Sequence, residues 1–312
     1  MTAILTENLQ KTYGLVHALD GLNLHVEEGT IFGFLGPNGA GKTTTIRLLT
    51  GLAKPTSGRA WVAGIETGHN HSLAARIGYL PEEPAFYNWM TPVEFLDHVG
   101  RLFGLRDSDR KHRIKELLDQ VGLTEVQKRR IGGFSHGMRQ RLGLAQALYN
   151  HPEVLFLDEP VSALDPEGRK EVLDLIRQLR QQSTVFMSTH ILADVERVCD
   201  SVGIIDHGKL VVEARQDELV ARYTVPAFNL ECDAGFEDAF KNWCESLGSH
   251  KWVSSVVLNG SNARILVKDL DQARRQLLAM VVESHLALRR YEIVTPSLED
   301  IFLRLVGQKR RS

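Results

Sequence analysis

The sequence predicts an α/β fold built around a phosphate-binding loop, followed by a small α+β domain. Three observations carry this prediction. A glycine-rich loop stands between an apolar strand and a helix at residues 36–44. Two further apolar strands downstream end in polar residues, which is typical of parallel strands whose carboxyl ends form a ligand-binding edge. After about residue 222 the strand and helix patterns continue without another such loop.

Length and composition limit the protein class. The chain has 312 residues, of which 43% are hydrophobic and 24% charged, and these ordinary globular values favour two domains, 1–221 and 222–312. A formal charge of −2 predicts no general attraction to nucleic acid. Three cysteines without metal-type spacing favour a reducing compartment. No run reaches the ~18 apolar residues that a membrane span needs, so we expect the chain not to cross a membrane itself.

The loop reads Gly-Pro-Asn-Gly-Ala-Gly-Lys-Thr-Thr. Such a turn aims backbone N–H groups at phosphate oxygens, and the following helix adds its positive end. Lys42 is expected to reach the β- and γ-phosphates, while Thr43 offers a hydroxyl to Mg²⁺. The apolar strand Ile31–Leu35 before the loop and a helix from Thr44 to Gly51 after it make a purely structural turn the weaker interpretation. The predicted phosphate-binding residues are Gly36, Pro37, Asn38, Gly39, Ala40, Gly41, Lys42, Thr43 and Thr44.

Two downstream strands supply the rest of the predicted site. Val154–Leu157 is an apolar run that ends in Asp158 and Glu159. At the carboxyl end of a strand, Asp158 can hold Mg²⁺ and Glu159 can polarise a water molecule, although a solvated acidic turn would have the same residues. A third strand, at residues 185–187, leads into His190 and is expected to bring this imidazole to the same edge.

Residues 84–150 are rich in helix signals and predict a helical lobe. Thr91 and Glu94 form a capping-box pattern with a proline between them. Ser135 is the predicted N-cap of a further helix. The apolar residues expected on the inner faces of these helices are Phe95, Val99, Phe103, Ile114, Leu117, Leu118, Val121, Met138, Leu142, Ala145 and Leu148.

The second domain reads β-α-β-β-α-β, a ferredoxin-like order. Its hairpin is predicted at Asn259-Gly260, and a short helix is predicted near Ser297. The predicted elements are Phe228–Cys232, Phe236–Leu247, Trp252–Leu258, Ala263–Val267, Leu270–Leu286 and Arg290–Val294.

From Thr6 to about Ala214 the sequence resembles the nucleotide-binding subunit of ATP-binding cassette (ABC) transporters. The ordered motifs carry the resemblance, above all a segment at residues 134–138, Phe-Ser-His-Gly-Met, where the family has its signature Leu-Ser-Gly-Gly-Gln. The other matches are Tyr13 for the aromatic that stacks on adenine, Gly36–Thr44 for Walker A, Asp158 and Glu159 for Walker B and the catalytic glutamate, Ser162–Asp165 for the D-loop, and His190 for the switch histidine.

The resemblance implies an ABC-type fold: a RecA-like P-loop core with an antiparallel β lobe and a helical lobe. It implies that ATP and Mg²⁺ bind, and that Ser135 and Gly137 meet the γ-phosphate held by a second subunit, in a homodimer or in a heterodimer with another ABC ATPase. A separate transmembrane permease would complete the transporter and hold the chain at the cytoplasmic face of the membrane. The C-terminal domain resembles the accessory domain of drug, antibiotic and sodium exporters, which implies export.

Two positions depart from the family pattern. Glu82 stands where the family usually has a glutamine, so it could ligate Mg²⁺ and act in catalysis, but its charge near Glu159 is compatible with slower or pH-shifted hydrolysis. His136 and Met138 replace a glycine and a glutamine of the signature. Two other functions stay open: a soluble ABC ATPase that acts as a regulatory or mechanical factor without a permease, and a scaffold gated by nucleotide binding alone.

An aromatic loop at residues 84–90 has two interpretations. The resemblance implies that it contacts the permease, and exposed Tyr and Trp residues would favour such docking. Alternatively, Phe86, Tyr87 and Trp89 anchor the core of the helical lobe.

Overall fold

The computed structural model of the protein describes residues 1–68, 71–162, 164–218 and 227–294. The chain divides into two compact units, Met1–Gln216 and Asp217–Ser312. The predicted domain boundary at residues 221 and 222 and the predicted short helix near Ser297 both lie outside the described residues. No helix in the described part of the chain is long and apolar enough to span a membrane.

The first unit contains two sheets. An antiparallel sheet has the strand order β2-β1-β4-β5, and a six-stranded sheet has the order β10-β9-β3-β8-β7-β6. The strands are β1 (Thr2–Tyr13), β2 (Val16–Glu27), β3 (Ile31–Leu35), β4 (Ser57–Val62), β5 (Ile65–Glu66), β6 (Ile77–Leu80), β7 (Val154–Asp158), β8 (Thr184–Thr189), β9 (Ser201–Asp206) and β10 (Lys209–Arg215).

Strands β3, β7 and β8 lie next to one another in the middle of the larger sheet and are parallel. Every residue of these three strands is buried, as expected for central strands covered on both faces. Leu35 pairs with Thr189, and Asp158 pairs with Ser188. The three carboxyl ends therefore meet at one edge, which confirms that the loop, the two acids and His190 share that edge.

The helices of the first unit are α1 (Lys42–Leu49), α2 (His71–Ala74), α3 (Pro92–Leu102), α4 (Asp107–Gln120), α5 (His136–Ala147), α6 (Pro166–Leu179) and α7 (Leu192–Val198). Helix α1 starts two residues before its predicted first residue, because the left-handed Gly41 directly precedes it. The capping box of α3 is present as predicted: Thr91 accepts from the Glu94 amide, and the Glu94 carboxylate accepts from the Thr91 amide. Phe103, expected on the inner face, follows the end of α3 and is 42% exposed.

The second unit has the predicted β-α-β-β-α-β order. Its antiparallel sheet has the order β12-β13-β11-β14, which is the ferredoxin-like arrangement. The elements are β11 (Ala227–Cys232), α8 (Glu237–Leu247), β12 (Val253–Asn259), β13 (Asn262–Val267), α9 (Leu270–Glu283) and β14 (Leu288–Val294).

Two details of the second unit differ from the prediction. The hairpin turn consists of Gly260 and Ser261, since Asn259 still pairs with Asn262. Helix α9 ends at Glu283, three residues before the predicted Leu286, and His285 adopts a left-handed φ of 53° that turns the chain away from the helix axis.

Candidate functional site

The glycine-rich loop connects β3 to α1 and is packed tightly against neighbouring backbone. A Cβ atom at Gly36 would collide with the carbonyl oxygen of Ile205. Gly41 has a φ of 110°, and a Cβ there would lie 2.7 Å from the carbonyl oxygen of Ala18. Both positions therefore require glycine. Gly36 allows the close approach of neighbouring backbone, and Gly41 allows both this approach and a positive φ.

Lys42, the first residue of α1, is buried under this loop. Its Nζ donates to the carbonyl oxygens of Gly36 (2.8 Å) and Pro37 (3.3 Å). The same Nζ lies 3.2 Å from Oε1 of Glu159, and the two side chains are only 6% and 8% exposed. Such buried charges persist because they are paired and hydrogen-bonded. The ammonium group is thus fixed between the loop and the acid that follows β7.

Asp158, the last residue of β7, and Glu159, which follows it, have separate partners. Oδ1 of Asp158 accepts a hydrogen bond from the Thr43 hydroxyl at 3.2 Å and another from the Ser188 hydroxyl at 2.6 Å. Oε2 of Glu159 lies 2.9 Å from Nδ1 of His190. Asp158 thus faces a hydroxyl that could share a metal ion with it, while Glu159 lies between a lysine and a histidine.

A cavity of about 430 Å³ lies over these groups. It brings together Lys42, Thr43, Glu82, Glu159 and His190, as the sequence predicts. Its lining residues are Val16, His17, Ala18, Asn38, Gly39, Gly41, Lys42, Thr43, Thr44, Glu82, Glu159 and His190. Three predicted loop residues, Gly36, Pro37 and Ala40, do not line the cavity; Gly36 and Ala40 are buried and Pro37 is exposed.

Tyr13, the predicted adenine-stacking residue, lies outside the set of residues that line the cavity. It ends β1, is 47% exposed and does not line the cavity. The Lys11 ammonium lies 4.8 Å from the centre of its ring. Across the β1–β2 turn Tyr13 pairs with Val16, and the next residues along β2 reach the cavity instead. The aromatic ring therefore stands beside the cavity rather than on its wall.

Ser135 and Gly137 line a different cavity. This second cavity measures about 380 Å³ and also contains Asp165, and it shares no lining residue with the first. Ser135 caps α5 as predicted, since its Oγ accepts from the Met138 amide at 3.3 Å. Within one chain, Ser135 and Gly137 therefore do not meet Lys42.

In the aromatic loop at residues 84–90, one residue fits the core interpretation and two residues fit the docking interpretation. Phe86 packs edge-on against Phe95 of α3, with ring centres 5.0 Å apart, and so belongs to the lobe core. Tyr87 and Trp89 contact each other at 5.0 Å between ring centres, but they are 46% and 66% exposed. Among the aromatic residues of this loop, Tyr87 and Trp89 are the two that are exposed.

A third buried acid lies near the site but outside the cavity. Asp194 of α7 forms an ion pair with Arg169 of α6, with 2.6 Å between Nη2 and Oδ1. Burial raises the pKa of the Asp194 carboxyl, and the Arg169 guanidinium opposes that shift. This pair connects the helix after the Asp165 loop to the helix after His190, so we interpret it as structural.

Sequence reasoning missed four residues that contribute to the site. Val16, His17 and Ala18 line the cavity, and their only signal is their position just after Tyr13. Ser188 lies between the predicted strand at residues 185–187 and His190, and the sequence predicts no role for it. The signal that could have found it is a buried hydroxyl two residues before His190, at the end of an apolar strand.

Comparison with known proteins agrees with the site geometry. Residues 19–162 match the family model described as "ABC transporter", and residues 217–306 match "ATP-binding protein DrrA1-3-like, C-terminal domain". The chain is 44% identical over 301 residues to the uncharacterized ABC transporter ATP-binding protein YxlF of Bacillus subtilis, covering 96% of this chain and 98% of that protein. It is 46% identical over 224 residues to the bacitracin transport ATP-binding protein BcrA of Bacillus licheniformis, covering 71% and 72%.

A solved structure shows the same likeness for the first unit. The dimeric structure of MJ0796, a bacterial ABC transporter cassette, matches with a TM-score of 0.62 and 26% identity, covering 68% of this chain and 98% of that one.

Proposed function

Because the chain belongs to the family of ABC transporter ATP-binding proteins, we propose that it is the ATP-hydrolysing subunit of an exporter and works with a separate membrane permease. The observation that carries this proposal is the meeting of Lys42, Asp158, Glu159 and His190 at one sheet edge. The bacitracin transport relative and the DrrA1-3-like C-terminal match support export.

The phosphates of ATP are assigned to the glycine-rich loop and Lys42, whose side chain already lies among the loop carbonyls. Mg²⁺ is assigned to Thr43 and Asp158, and Glu82 on the cavity wall is a further candidate ligand. The oxygens of Thr43 and Asp158 lie 3.2 Å apart, and hard oxygen donors of this kind fit Mg²⁺. A bound Mg²⁺ would offset the negative charge of the phosphates.

Glu159 is assigned as the group that orients and polarises the attacking water. Its Oε1 faces Lys42 and its Oε2 faces His190, so the carboxylate is held in one orientation on the cavity wall. A phosphate oxygen competes for the same ammonium, and its binding would leave Oε1 available to the water. His190 is 43% exposed in its side chain and can contact both the γ-phosphate and Glu159.

The separation of the two cavities supports a shared site. Since Ser135 and Gly137 lie in a cavity apart from Lys42, they would contact the nucleotide of a second subunit, in a homodimer or a heterodimer. The N-terminus of α5 offers free amides and a positive dipole end to the γ-phosphate. Tyr13, beside the cavity, is assigned to the adenine.

The contact with the permease is assigned to the exposed residues Tyr87 and Trp89. This contact would hold the subunit at the cytoplasmic face of the membrane. Asn88, which lies between them in the sequence, accepts a hydrogen bond from Arg139 of α5 at 2.7 Å. The aromatic loop at residues 84–90 therefore contacts the helix that carries Gly137. A soluble factor without a permease is the second candidate, and the DrrA1-3-like C-terminal match argues against it. Co-purification of an integral membrane protein from detergent-solubilised membranes would separate the two.

Glu159→Gln tests the proposed function. The amide keeps the shape of the side chain but cannot take a proton, so we expect turnover to fall at least ~100-fold while ATP binding remains. Light scattering should then show that dimers accumulate with Mg-ATP. The matched control is Glu153→Gln. Glu153 is an exposed acid directly before β7 and pairs with Arg76, so this variant is expected to keep wild-type turnover. Wild-type turnover in Glu159→Gln would contradict the proposal.

A further inference from the structure

Ser188 is a fully buried polar residue that joins Asp158 and Glu159 at the end of β7. Its hydroxyl donates to Oδ1 of Asp158 at 2.6 Å and accepts from the backbone amide of Glu159 at 3.0 Å. The residue is 0% exposed and does not line the cavity, and its hydroxyl is engaged in these two bonds. Its polar contacts therefore act on the neighbouring acids.

The backbone of Glu159 depends on the same residue. Its φ of 47° lies in the left-handed region, which is strained for a residue with a Cβ. Its amide donates to the Ser188 hydroxyl and also to the Ser188 carbonyl oxygen at 3.2 Å. Both bonds fix the turn at which the chain leaves β7, and this turn places the Glu159 side chain on the cavity wall.

The orientation of the Asp158 carboxylate has a similar origin. Oδ1 receives the Ser188 hydroxyl from β8 on one side and the Thr43 hydroxyl from α1 on the other. Asp158 is only 1% exposed, so these hydroxyls replace water as its partners. The shorter of the two bonds is the one from Ser188.

We propose that Ser188 is a positioning residue for ATP hydrolysis, whose single hydroxyl holds Asp158 and Glu159 in the mutual orientation that the reaction requires. This inference rests on the roles assigned to those two acids. It predicts an effect on the chemical step rather than on ATP binding, because Lys42 and the glycine-rich loop do not contact Ser188 through any of these bonds.

Ser188→Ala tests the inference. It removes the donor to a buried carboxylate, and we expect kcat to fall by about 10- to 100-fold while KM for ATP changes less than about threefold. Ser188→Thr keeps the hydroxyl and fits the β-strand, so it should recover most of kcat. If its extra methyl group prevents folding, Ser188→Cys replaces it, and its weaker donor should give a kcat between those of alanine and serine.

The matched control is Ser183→Ala. Ser183 is also buried, and its hydroxyl donates to the Pro152 carbonyl oxygen at 2.5 Å, away from both acids. This variant should lose a similar amount of thermal stability but keep the wild-type kcat. A folded Ser188→Ala protein with wild-type kcat, or an equal loss of kcat in Ser183→Ala, would overturn the inference. Either result can occur while Glu159→Gln still stalls turnover, so it would leave the proposed function standing.

Discussion

The two units of the chain bury different kinds of side chain. The first unit buries Lys42, Asp158, Glu159 and Asp194 close to one sheet edge. In the second unit, the buried side chains among residues 227–294 are apolar residues, cysteines and a tryptophan. The first unit thus keeps charges inside at an energetic cost, whereas the buried side chains of the second unit, among its described residues, carry no charge.

This difference indicates that the buried charges of the first unit serve its chemistry rather than its stability. A buried ion pair is weak evidence for stability, because desolvation offsets most of its Coulomb energy. The charges at Lys42 and Glu159 are therefore explained better by ATP hydrolysis than by folding. A core substitution in the second unit should change the stability of that unit without changing the chemistry of the first. A charge substitution in the first unit should change its chemistry without changing the stability of the second.

The largest effect is expected from Phe240→Ala in the second unit. Phe240 is fully buried in α8 and lies parallel to the ring of Trp243, with 6.2 Å between the ring centres. Removing the ring leaves a cavity, so we expect a loss of about 3–5 kcal/mol in the free energy of unfolding of this unit. Phe236→Ala is the matched control, since Phe236 adjoins the same helix but is 37% exposed and should lose much less.

Thiol labelling can assign that loss to one unit. Cys232 and Cys244 lie in the second unit and Cys199 in the first, and all three are buried. Burial raises the pKa of Cys244 to about 12, so at pH 8 its thiol stays protonated until the unit opens. Phe240→Ala should speed the labelling of Cys232 and Cys244 but not of Cys199. Faster labelling of all three would show that the units unfold together.

The next largest effect is expected from Lys42→Ala in the first unit. Without its ammonium group, ATP turnover should fall by about 10²- to 10³-fold and ATP should bind more weakly, because phosphate charge is no longer offset. Lys209→Ala is the control, since this exposed lysine pairs with Asp20 on the surface. Labelling of Cys232 and Cys244 should be unchanged in both variants. Wild-type turnover in Lys42→Ala would contradict the interpretation that the buried charges of the first unit serve ATP hydrolysis.

The sequence allowed the central strands and the site edge to be predicted well. Strands β3, β7 and β8 are short, have a run of apolar residues and lead into polar residues at their carboxyl ends, and this pattern depends on local sequence alone. The β-α-β-β-α-β order of the second unit was predicted for the same reason.

The remaining details depend on contacts between distant segments. The wall formed by Val16, His17 and Ala18 requires the β1–β2 turn to lie over the glycine-rich loop, and no local pattern encodes that placement. Which aromatic residue of the loop is part of the core, and which are exposed, depends on which ring contacts Phe95 of the helical lobe. Ser188 acquires its role only through the parallel pairing of β8 with β7.

The smallest effect is expected from Glu82→Gln. Glu82 is an exposed residue on the cavity wall, and its backbone carbonyl accepts a hydrogen bond from Gln140 at 3.3 Å. A glutamine keeps an oxygen that can face Mg²⁺ but removes a charge that repels the phosphates and Glu159. We therefore expect kcat at saturating Mg²⁺ to rise by less than about tenfold, since exposed charges interact weakly.

Titrating Mg²⁺ sharpens this last test. The neutral amide is a poorer ligand than a carboxylate, so half-maximal turnover should require more Mg²⁺ in Glu82→Gln than in the wild type. Glu83→Gln is the control, because this neighbouring exposed acid does not line the cavity and should change neither quantity. A tenfold or greater fall of kcat in Glu82→Gln would mean that the reaction uses the negative charge, and Glu82 would then join Asp158 and Glu159 among the acids that the first unit keeps for chemistry.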